Sequence, residues 1–401
     1  DNVIRFGGQG IYYRFEPANA IAVSDGTEID ISINNQWAVE SAVFVENEVS
    51  LFKNKVKLNY GVRLSHFAYL GGRPVYEFGE APREGFARPL TNVTQTEKGE
   101  TINDCFNFEP RVAVQYQLDP SSYLKASYQR TAQYIHLLSN TTASIPLDIW
   151  TPSTNNIEPS LADQFAVGYF RNFKDNMYEA SLELYYKDFK NLVDYVDGAD
   201  LILNEFVEGQ TLAGEGRAYG AEFQLKKVKG RFNGWISYTL AKSERLTTGV
   251  NNNEYYDNRF DQTHNFNLTG FYDLSERATL SAVFVYNTGA PVTLASAGYY
   301  QLGYFIPHNE DGGRNNFRIP DYHRLDVSVT LNPKKEKANR RWQGQWIFGV
   351  YNLYGRRNAF TVSGTQSDGR AILGQPIMTE SNQLSVVGSI IPSISYNFKF
   401  K

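Results

Sequence analysis

Strict alternation of apolar and polar residues is the main pattern along this chain. From Pro392 to Phe400 every second residue is apolar or aromatic, and the residues between them are Ser, Asn or Lys. The same period of two recurs in the segments KVKLNYGVRLSH, YEASLELYYK, HNFNLTGFY and HRLDVSVTL. This period is typical of β-strands with one apolar face, and no helical period is sustained in the sequence. The pattern therefore predicts an all-β protein.

The alternating segments predict about fourteen strands, most of them longer than the roughly five to six residues usual in globular proteins. They lie near residues 3–15, 36–51, 55–70, 106–118, 121–136, 160–173, 176–195, 214–228, 232–246, 261–274, 278–292, 320–332, 342–354 and 384–400. The connections alternate between short polar turns (FKNK, LDPSS, FKDN, KVKGR, LSERA and NPKKEKANRR) and long segments (16–35, 71–105, 137–159, 196–213, 247–260, 293–319 and 355–383). Such alternation is expected of an up-and-down barrel with tight turns on one rim and long loops on the other.

The chemistry of the two strand faces indicates the environment of the barrel. A face that carries Lys57, Asn59 and Arg63 cannot form an apolar core. The chain is polar on average, with a mean hydropathy of -0.43, yet 14% of its residues are aromatic. A lipid-facing apolar band around a polar interior explains the long strands, the alternating connections and the many Tyr and Phe residues. We therefore predict a transmembrane antiparallel β-barrel and keep a large soluble β-sandwich as the alternative.

Composition excludes several other classes of protein. The net charge of -4 gives no basic field for nucleic acid, and the single Cys105 cannot form an intrachain disulfide. The five histidines are scattered without metal-ligand spacing, and the oxygen-rich segments IPHNEDGGRNN and NNNEYYDN lack the spacing of a calcium loop. No catalytic constellation stands out. We expect neither an enzyme nor a bound cofactor or metal.

Seven stretches, in order along the chain, resemble the barrel domain of TonB-dependent outer-membrane receptors. They are WAVESAVFVENEVSLFKNKVKLNYGVRLSHF, FNFEPRVAVQYQLDPSSYLKASYQR, NIEPSLADQFAVGYFRNF, GEGRAYGAEFQLKK, FDQTHNFNLTGFY, IPDYHRLDVSVTL and FGVYNLYGRRNAF. Barrels of that family have about 22 strands around a plugged lumen. The resemblance therefore implies that residues 1–401 are the C-terminal portion of such a barrel, with the plug domain and TonB box outside this sequence. A complete barrel of about fourteen strands, acting as a plug-less passive pore or structural barrel, is the alternative.

The resemblance also implies a function and a location. Such a receptor imports a scarce nutrient (a metal chelate, a cofactor or an oligosaccharide) across the bacterial outer membrane by energy-coupled transport. The partners implied are outer-membrane lipid and lipopolysaccharide, and TonB through the N-terminal part that lies outside this sequence. A surface lipoprotein is a further candidate partner.

Three sets of residues are candidates for function. Aromatic side chains in the long connections can stack on a ligand, although packing between loops would also place rings there: Trp150, Tyr255, Tyr256, Tyr299, Tyr300 and Tyr304. Charged residues on the polar strand faces can contact a plug or line the lumen, although ion pairs within the barrel would give the same pattern: Arg63, Arg111, Glu179, Glu183, Arg324 and Asp326. The final aromatics resemble the C-terminal insertion signal of outer-membrane proteins: Tyr396, Phe398 and Phe400.

Two smaller groups have simpler interpretations. The parity of His264 and His323 places them on the outward face near a strand end, which favours a role in an aromatic girdle. The basic turn with Lys334, Lys335, Lys337, Arg340 and Arg341 could meet phosphates of the periplasmic leaflet, and a solvated turn is an equal alternative.

Overall fold

The computed structural model describes residues 2–17, 19–24, 27–138, 149–201, 204–295, 297–301, 304–308, 313–333, 342–366 and 379–400. Its strands in chain order are β1 (Asn2–Phe15), β2 (Asn19–Ser24), β3 (Thr27–Ser32), β4 (Gln36–Leu51), β5 (Val56–Leu70), β6 (Pro74–Phe78), β7 (Leu90–Gln95), β8 (Thr101–Asp119), β9 (Ser122–Gln133), β10 (Ile135–Leu138), β11 (Ile149–Pro152), β12 (Ser160–Phe173), β13 (Tyr178–Tyr195), β14 (Thr211–Lys227), β15 (Phe232–Thr247), β16 (Tyr256–Asp257), β17 (His264–Asp273), β18 (Ala278–Asn287), β19 (Pro291–Val292), β20 (Ala297–Gln301), β21 (Tyr304–His308), β22 (Phe317–Arg318), β23 (Tyr322–Leu331), β24 (Trp342–Tyr351), β25 (Thr361–Gln366), β26 (Thr379–Leu384) and β27 (Ile391–Phe400). Two 3₁₀ turns cover Val207–Gln210 and Asn251–Asn253.

Fourteen long strands form one antiparallel up-and-down sheet, which confirms the predicted fold class. Their order is β1-β4-β5-β8-β9-β12-β13-β14-β15-β17-β18-β23-β24-β27, with the short β16 paired to β15. Each long strand therefore pairs with its neighbours along the chain. Where the connections are described, tight turns join the strands at one end of the sheet and long connections at the other, as predicted. We call these ends the short-turn rim and the long-loop rim.

Some predicted boundaries were wrong because the long connections fold into hairpins of their own. The predicted strand 384–400 begins only at Ile391, since β26 pairs with β25 in a separate two-stranded sheet. The predicted strand 278–292 ends at Asn287. Beyond it, Gly289 lies so close to the Ile319 carbonyl that a Cβ would be 1.6 Å from its oxygen, and β19 then pairs with β22. Alternation in the sequence continues across these breaks, so it could not show them.

Rows of side chains on the outward face change character toward the long-loop rim. One row of cross-strand neighbours is apolar and comprises Ala126, Val167, Leu184 and Ala221. The next row is aromatic and comprises Tyr128, Phe165, Tyr186 and Tyr219. The row nearest the rim is charged and comprises Arg130, Asp163, Asp188, Arg217 and Glu244. This sequence of rows is the expected profile of a lipid-facing surface that ends at the headgroups.

The final strand carries a second aromatic band. Tyr396 lies with its ring 4.6 Å from Trp346, and Phe398 and Phe400 lie 4.9 and 4.8 Å from Trp342. The Trp342 indole N–H also donates to the Tyr396 hydroxyl at 2.9 Å. The three terminal rings thus belong to an exposed, outward-facing aromatic cluster. Their role as an insertion signal stays a prediction.

Buried apolar residues lie toward the long-loop rim. One cluster consists of Ala38, Phe67 and Tyr134, and a second of Leu138, Leu201 and Val207. The Phe67 and Tyr134 rings stack 4.8 Å apart. The protein therefore has its core where the loops meet the strands.

No helix in the described part of the chain is long and apolar enough to cross a bilayer.

Candidate ligand site at the long-loop rim

A β-bulge in β13 turns one acidic side chain toward the interior of the sheet. Phe189 pairs with Gly216 and Leu192 with Gly214, so two residues of β13 lie opposite one residue of β14. Asn191, inside the bulge, has a φ of 55°, which an Asn adopts more readily than most residues. Without the extra residue, Asp194 would share the outward face of Tyr186. The bulge reverses the alternation and points Asp194 inward.

Asp194 is the centre of a buried network that joins strands β13 and β15 to the connections after β15 and β18. Its carboxylate accepts hydrogen bonds from Arg314 at 2.9 Å and from Arg245 at 3.3 Å. The Tyr256 hydroxyl also donates to it. Burial, with the Asp194 charge as a smaller cause, raises the pKa of Tyr256, so this phenol keeps its proton. The side chains of Arg314 and Asp194 are almost fully buried.

Glu208 is the centre of a second network between other connections. Its carboxylate accepts hydrogen bonds from Thr154 at 3.0 Å and from Asn156 at 2.6 Å. The Arg73 guanidinium lies 3.8 Å from its other oxygen, and Arg88 donates to its backbone carbonyl at 2.8 Å. Arg73 and Glu208 are both buried. One side chain thus joins the connections after β5, β9 and β13.

Close packing links the remaining long connections to these networks. Gly85 and Gly249 touch so closely that a Cβ on Gly85 would lie 2.3 Å from the Gly249 carbonyl oxygen. Glu205 accepts hydrogen bonds from Tyr76 at 2.5 Å and from Asn34 at 2.9 Å. These parts of the loops therefore pack against one another as a layer at the rim.

A cavity of about 460 Å³ opens within this layer, and we call it the rim pocket. Its charged and aromatic lining consists of His136, Asp194, Tyr195, Arg245, Tyr256, Arg259, Phe260 and Arg314. Its apolar lining includes Leu137, Leu138, Pro291 and Val292. A concave site of this size with a few convergent polar groups is typical of small-molecule binding.

The rim pocket has a positive lining at neutral pH. Three guanidinium groups line it, and the carboxylates of Asp194 and Asp197 pair with two of them, those of Arg245 and Arg314. Burial lowers the pKa of His136 to about 4, so this side chain is neutral there. The His136 ring nitrogen Nε2 lies 3.0 Å from the Ser153 hydroxyl. The excess of guanidinium groups favours an anionic ligand.

The predicted loop aromatics are distributed unevenly around this pocket. Tyr256 lines it, but its hydroxyl is already bonded to Asp194. Tyr255 is exposed and lies under the Arg217 guanidinium, 4.0 Å from ring centroid to Cζ. Trp150 is 55% exposed and lies opposite Leu137 in the β10–β11 hairpin. These rings are not brought together as one site.

Three further predicted aromatics lie on the β20–β21 hairpin, where Tyr299 pairs with Ile306 and Tyr300 with Phe305. Tyr304 begins the second strand, opposite Gln301. Their side chains fall outside the described part of the structure. Ligand contact by these rings stays a prediction.

Arg63 is the centre of a polar network on the inward face. It donates to Glu40 at 3.0 Å and to Gln9 at 3.1 Å, and it lies 3.5 Å from Glu109. Arg111 lines the same inward hollow, of about 400 Å³, together with Arg63 and Lys125. Both predicted arginines thus face the interior.

The other predicted inward residues fall into two groups. Arg324 forms an ion pair with Asp326 at 3.0 Å, beside the Tyr351 ring. Glu179 pairs with Lys226 at 3.2 Å and is substantially exposed. Glu183 lies opposite a second acid, Glu222, in the adjacent strand. Contact of these residues with a plug or a lumen ligand stays a prediction.

Sequence reasoning missed the residues that organise the rim, namely Asp194, Glu208, Arg245 and Arg314. None lies in a recognisable motif, and their partners are about 50 to 120 residues away in the chain. The signal that could have found Asp194 is the Asn191 bulge. Among the described residues, no group of three or more His, Cys, Asp or Glu side chains could hold a metal ion.

Comparisons with known proteins agree with this architecture. The family described as TonB dependent receptor-like, beta-barrel matches residues 3–353. No curated protein matches the sequence. Among solved structures, the ferric-catecholate import receptor Fiu of E. coli K12, in its closed form, is 15% identical with a TM-score of 0.57. The match covers 89% of this chain and 48% of Fiu.

Two receptors from Acinetobacter baumannii are similar to the same extent. The siderophore receptor PiuA has a TM-score of 0.56 at 13% identity, with 93% of this chain and 45% of PiuA covered. The ferric preacinetobactin receptor BauA has a TM-score of 0.55 at 14% identity, with 98% of this chain and 51% of BauA covered. The chain thus spans about half the length of these structures.

Proposed function

Because the chain belongs to the TonB-dependent receptor β-barrel family, we propose that it forms part of a receptor that imports a scarce anionic nutrient. Members of this family are transporters of the bacterial outer membrane. Among the nutrients that such receptors import, we propose a ferric chelate as the substrate class. The similar solved structures are named as receptors for ferric catecholate, siderophore and ferric preacinetobactin.

The rim pocket is the observation that carries this proposal. Ferric chelates commonly bear net negative charge, and the three guanidinium groups of the pocket exceed the two carboxylates, Asp194 and Asp197, that pair with them. Asp194 and Glu208 hold the surrounding loops, so the pocket is formed before a ligand arrives. Preorganisation of this kind reduces the ordering cost of binding. We further propose that release into the periplasm is driven by TonB, through the part of the receptor that lies outside this sequence.

Binding to the protein purified from its native membrane tests the substrate class. Ferric catecholates, ferric hydroxamates, haem, cobalamin and neutral oligosaccharides are titrated while intrinsic fluorescence is followed. We expect one anionic ferric chelate to bind and the neutral oligosaccharides not to bind. Binding of an oligosaccharide alone would overturn the ferric-chelate assignment.

A matched pair of arginine variants tests the site. Arg259 lines the rim pocket and lies over the Phe260 ring at 4.6 Å, whereas Arg83 lies over Phe86 at 5.1 Å outside the pocket. We expect Arg259→Gln to weaken chelate binding about tenfold or more and Arg83→Gln to leave it unchanged. Equal losses would remove the pocket from the proposal.

Uptake in whole cells tests the energy coupling. We expect accumulation of the chelate to stop when the proton gradient is collapsed. Uptake that continues without the gradient would favour the passive pore instead.

A further inference from the structure

Two adjacent turns at the short-turn rim, with the strand ends beside them, carry five cations that form no ion pair in the described part of the chain. The turns cover residues 174–177 and 228–231, and the cations are Arg171, Lys174, Lys227, Lys229 and Arg231. Within the described ranges none of them forms an ion pair, and neither does the carboxylate of Asp175. Lys226 points to the other face, where it pairs with Glu179.

The backbone holds the two turns together. The Val228 N–H donates to the Met177 carbonyl at 3.0 Å, and the Lys229 ammonium donates to the Asp175 carbonyl at 2.6 Å. Lys174, Asp175 and the next residue all have φ between 48° and 59°, so the first turn is tightly closed. Lys174, Lys227 and Lys229 therefore lie on two turns that are held against each other.

Aromatic rings on the lipid-facing side hold two of these cations, Lys174 and Lys227, at the outward face. Lys174 and Lys227 both lie over the Tyr178 ring, at 5.7 and 5.9 Å from its centroid. Lys227 also lies 5.6 Å from the Phe232 ring centroid. Tyr178 pairs with Lys227 across the strands and shares its face with the exposed Leu182. Both ammonium groups thus lie at the outward face, where they attract an anion.

The surface continues directly into the apolar band of the barrel, and tight turns of outer-membrane barrels lie on the periplasmic side. We propose that these two turns form a docking surface for an anionic phospholipid of the periplasmic leaflet. Lys174 and Lys227 bind its phosphate, and the acyl chains lie along the outward face beside Leu182 and Phe223. Lysines near a bilayer surface each add to the attraction for anionic lipid, and the aromatic rings fix their position. The surface is independent of the imported ligand.

Native mass spectrometry of the detergent-solubilised protein tests this surface. Phosphatidylglycerol and phosphatidylcholine are titrated in separate experiments. Both lipids carry a phosphate, but only phosphatidylglycerol has a net negative charge. We expect phosphatidylglycerol to be retained more strongly. Lys174→Gln with Lys227→Gln should weaken its retention by about 25-fold, or about fivefold for each cation removed. Heat-modifiable mobility on gels confirms that the variant is folded.

The turn at 52–55 supplies the matched control. It has the same run of three positive φ values, at Phe52, Lys53 and Asn54. In this turn, however, a single lysine, Lys55, lies over an aromatic ring, that of Tyr116. Lys53→Gln with Lys55→Gln should change phosphatidylglycerol retention less than about twofold. An equal loss in this control, no loss in the first variant, or equal retention of phosphatidylcholine would overturn the proposal.

Two further measurements use the unmodified protein. Raising sodium chloride from about 50 to about 500 mM should weaken retention of phosphatidylglycerol and leave that of phosphatidylcholine unchanged. Inorganic phosphate at constant ionic strength should not displace the lipid. Displacement would identify a site for free anions and refute the lipid assignment.

Discussion

At the long-loop rim the principal charged side chains are buried and paired, whereas at the short-turn rim they are exposed. The Arg314–Asp194 pair has side-chain exposures of 6% and 4%, and the Lys226–Glu179 pair has 43% and 44%. A buried pair holds its geometry because breaking it leaves an uncompensated charge in a poor solvent. An exposed pair is solvated by water whether or not it forms. The two rims therefore use the same residue types for different purposes.

The difference follows from the length of the connections. A short turn fixes most of its own backbone locally and needs few contacts with other turns. A long connection loses much more conformational freedom when it is ordered, so it needs contacts that extend across the rim. Asp194 and Glu208 supply such contacts, because Asp194 joins two connections to strands β13 and β15 and Glu208 joins three connections. A binding pocket between long loops thus depends on a few buried acids.

Removal of the Asp194 charge should have the largest effect. Asp194→Asn leaves Arg245 without its acidic partner and Arg314 with only Asp197, which is exposed. We expect local stability around β16 to fall by about 3–5 kcal/mol. Hydrogen exchange measures this through the Asn258 amide, which is bonded to the Ser243 carbonyl. Unchanged exchange at that amide would show that the network does not hold the loop.

Acid should loosen the long-loop rim next. His136 has a pKa of about 4 in the folded protein and an ordinary value of 6.5 when exposed, so unfolded chains bind the proton first. The contribution of His136 to the free energy of unfolding is therefore complete above pH 6.5. It is lost as the pH falls toward 4, and the loss is at most about 3 kcal/mol. Limited proteolysis across this range should show earlier cleavage near β10. His136→Gln should remove the His-dependent part of this pH effect, and an unaltered profile in that variant would assign it elsewhere.

The contact between Gly85 and Gly249 should be the third most sensitive feature. A Cβ on Gly249 would lie 2.0 Å from the Gly85 nitrogen, at a φ of 84°. Gly99 has a φ of 83°, and a Cβ at this position would meet no atom within 4 Å. Gly99→Ala therefore measures only the cost of placing a side chain on this backbone conformation. We expect Gly99→Ala to cost about 1 kcal/mol and Gly249→Ala about 2 kcal/mol or more, measured by hydrogen exchange in the two loops. Equal costs would mean that the loops separate easily.

The same contrast explains how far the sequence could predict the structure. The fourteen long strands were predicted because lipid outside and water inside impose a period of two on each of them. The rim was not predicted, since one extra residue at Asn191 reverses the parity of Asp194. Counting alternate positions from Tyr186 places that carboxylate in contact with lipid. Its partner Arg314 lies 120 residues further along the chain, and no local pattern joins them.

The smallest effect should come from the exposed pair at the other rim. Glu179→Gln removes the same kind of charge as Asp194→Asn, but its partner Lys226 stays solvated. We expect a loss of at most about 1 kcal/mol, seen as a small shift in the urea midpoint of the protein in detergent. Added salt should reduce the difference further, because exposed charges are screened. A loss as large as that of the Asp194 variant would show that the interior near the short turns is as poor a solvent as the loop layer, and the contrast between the rims would then fail.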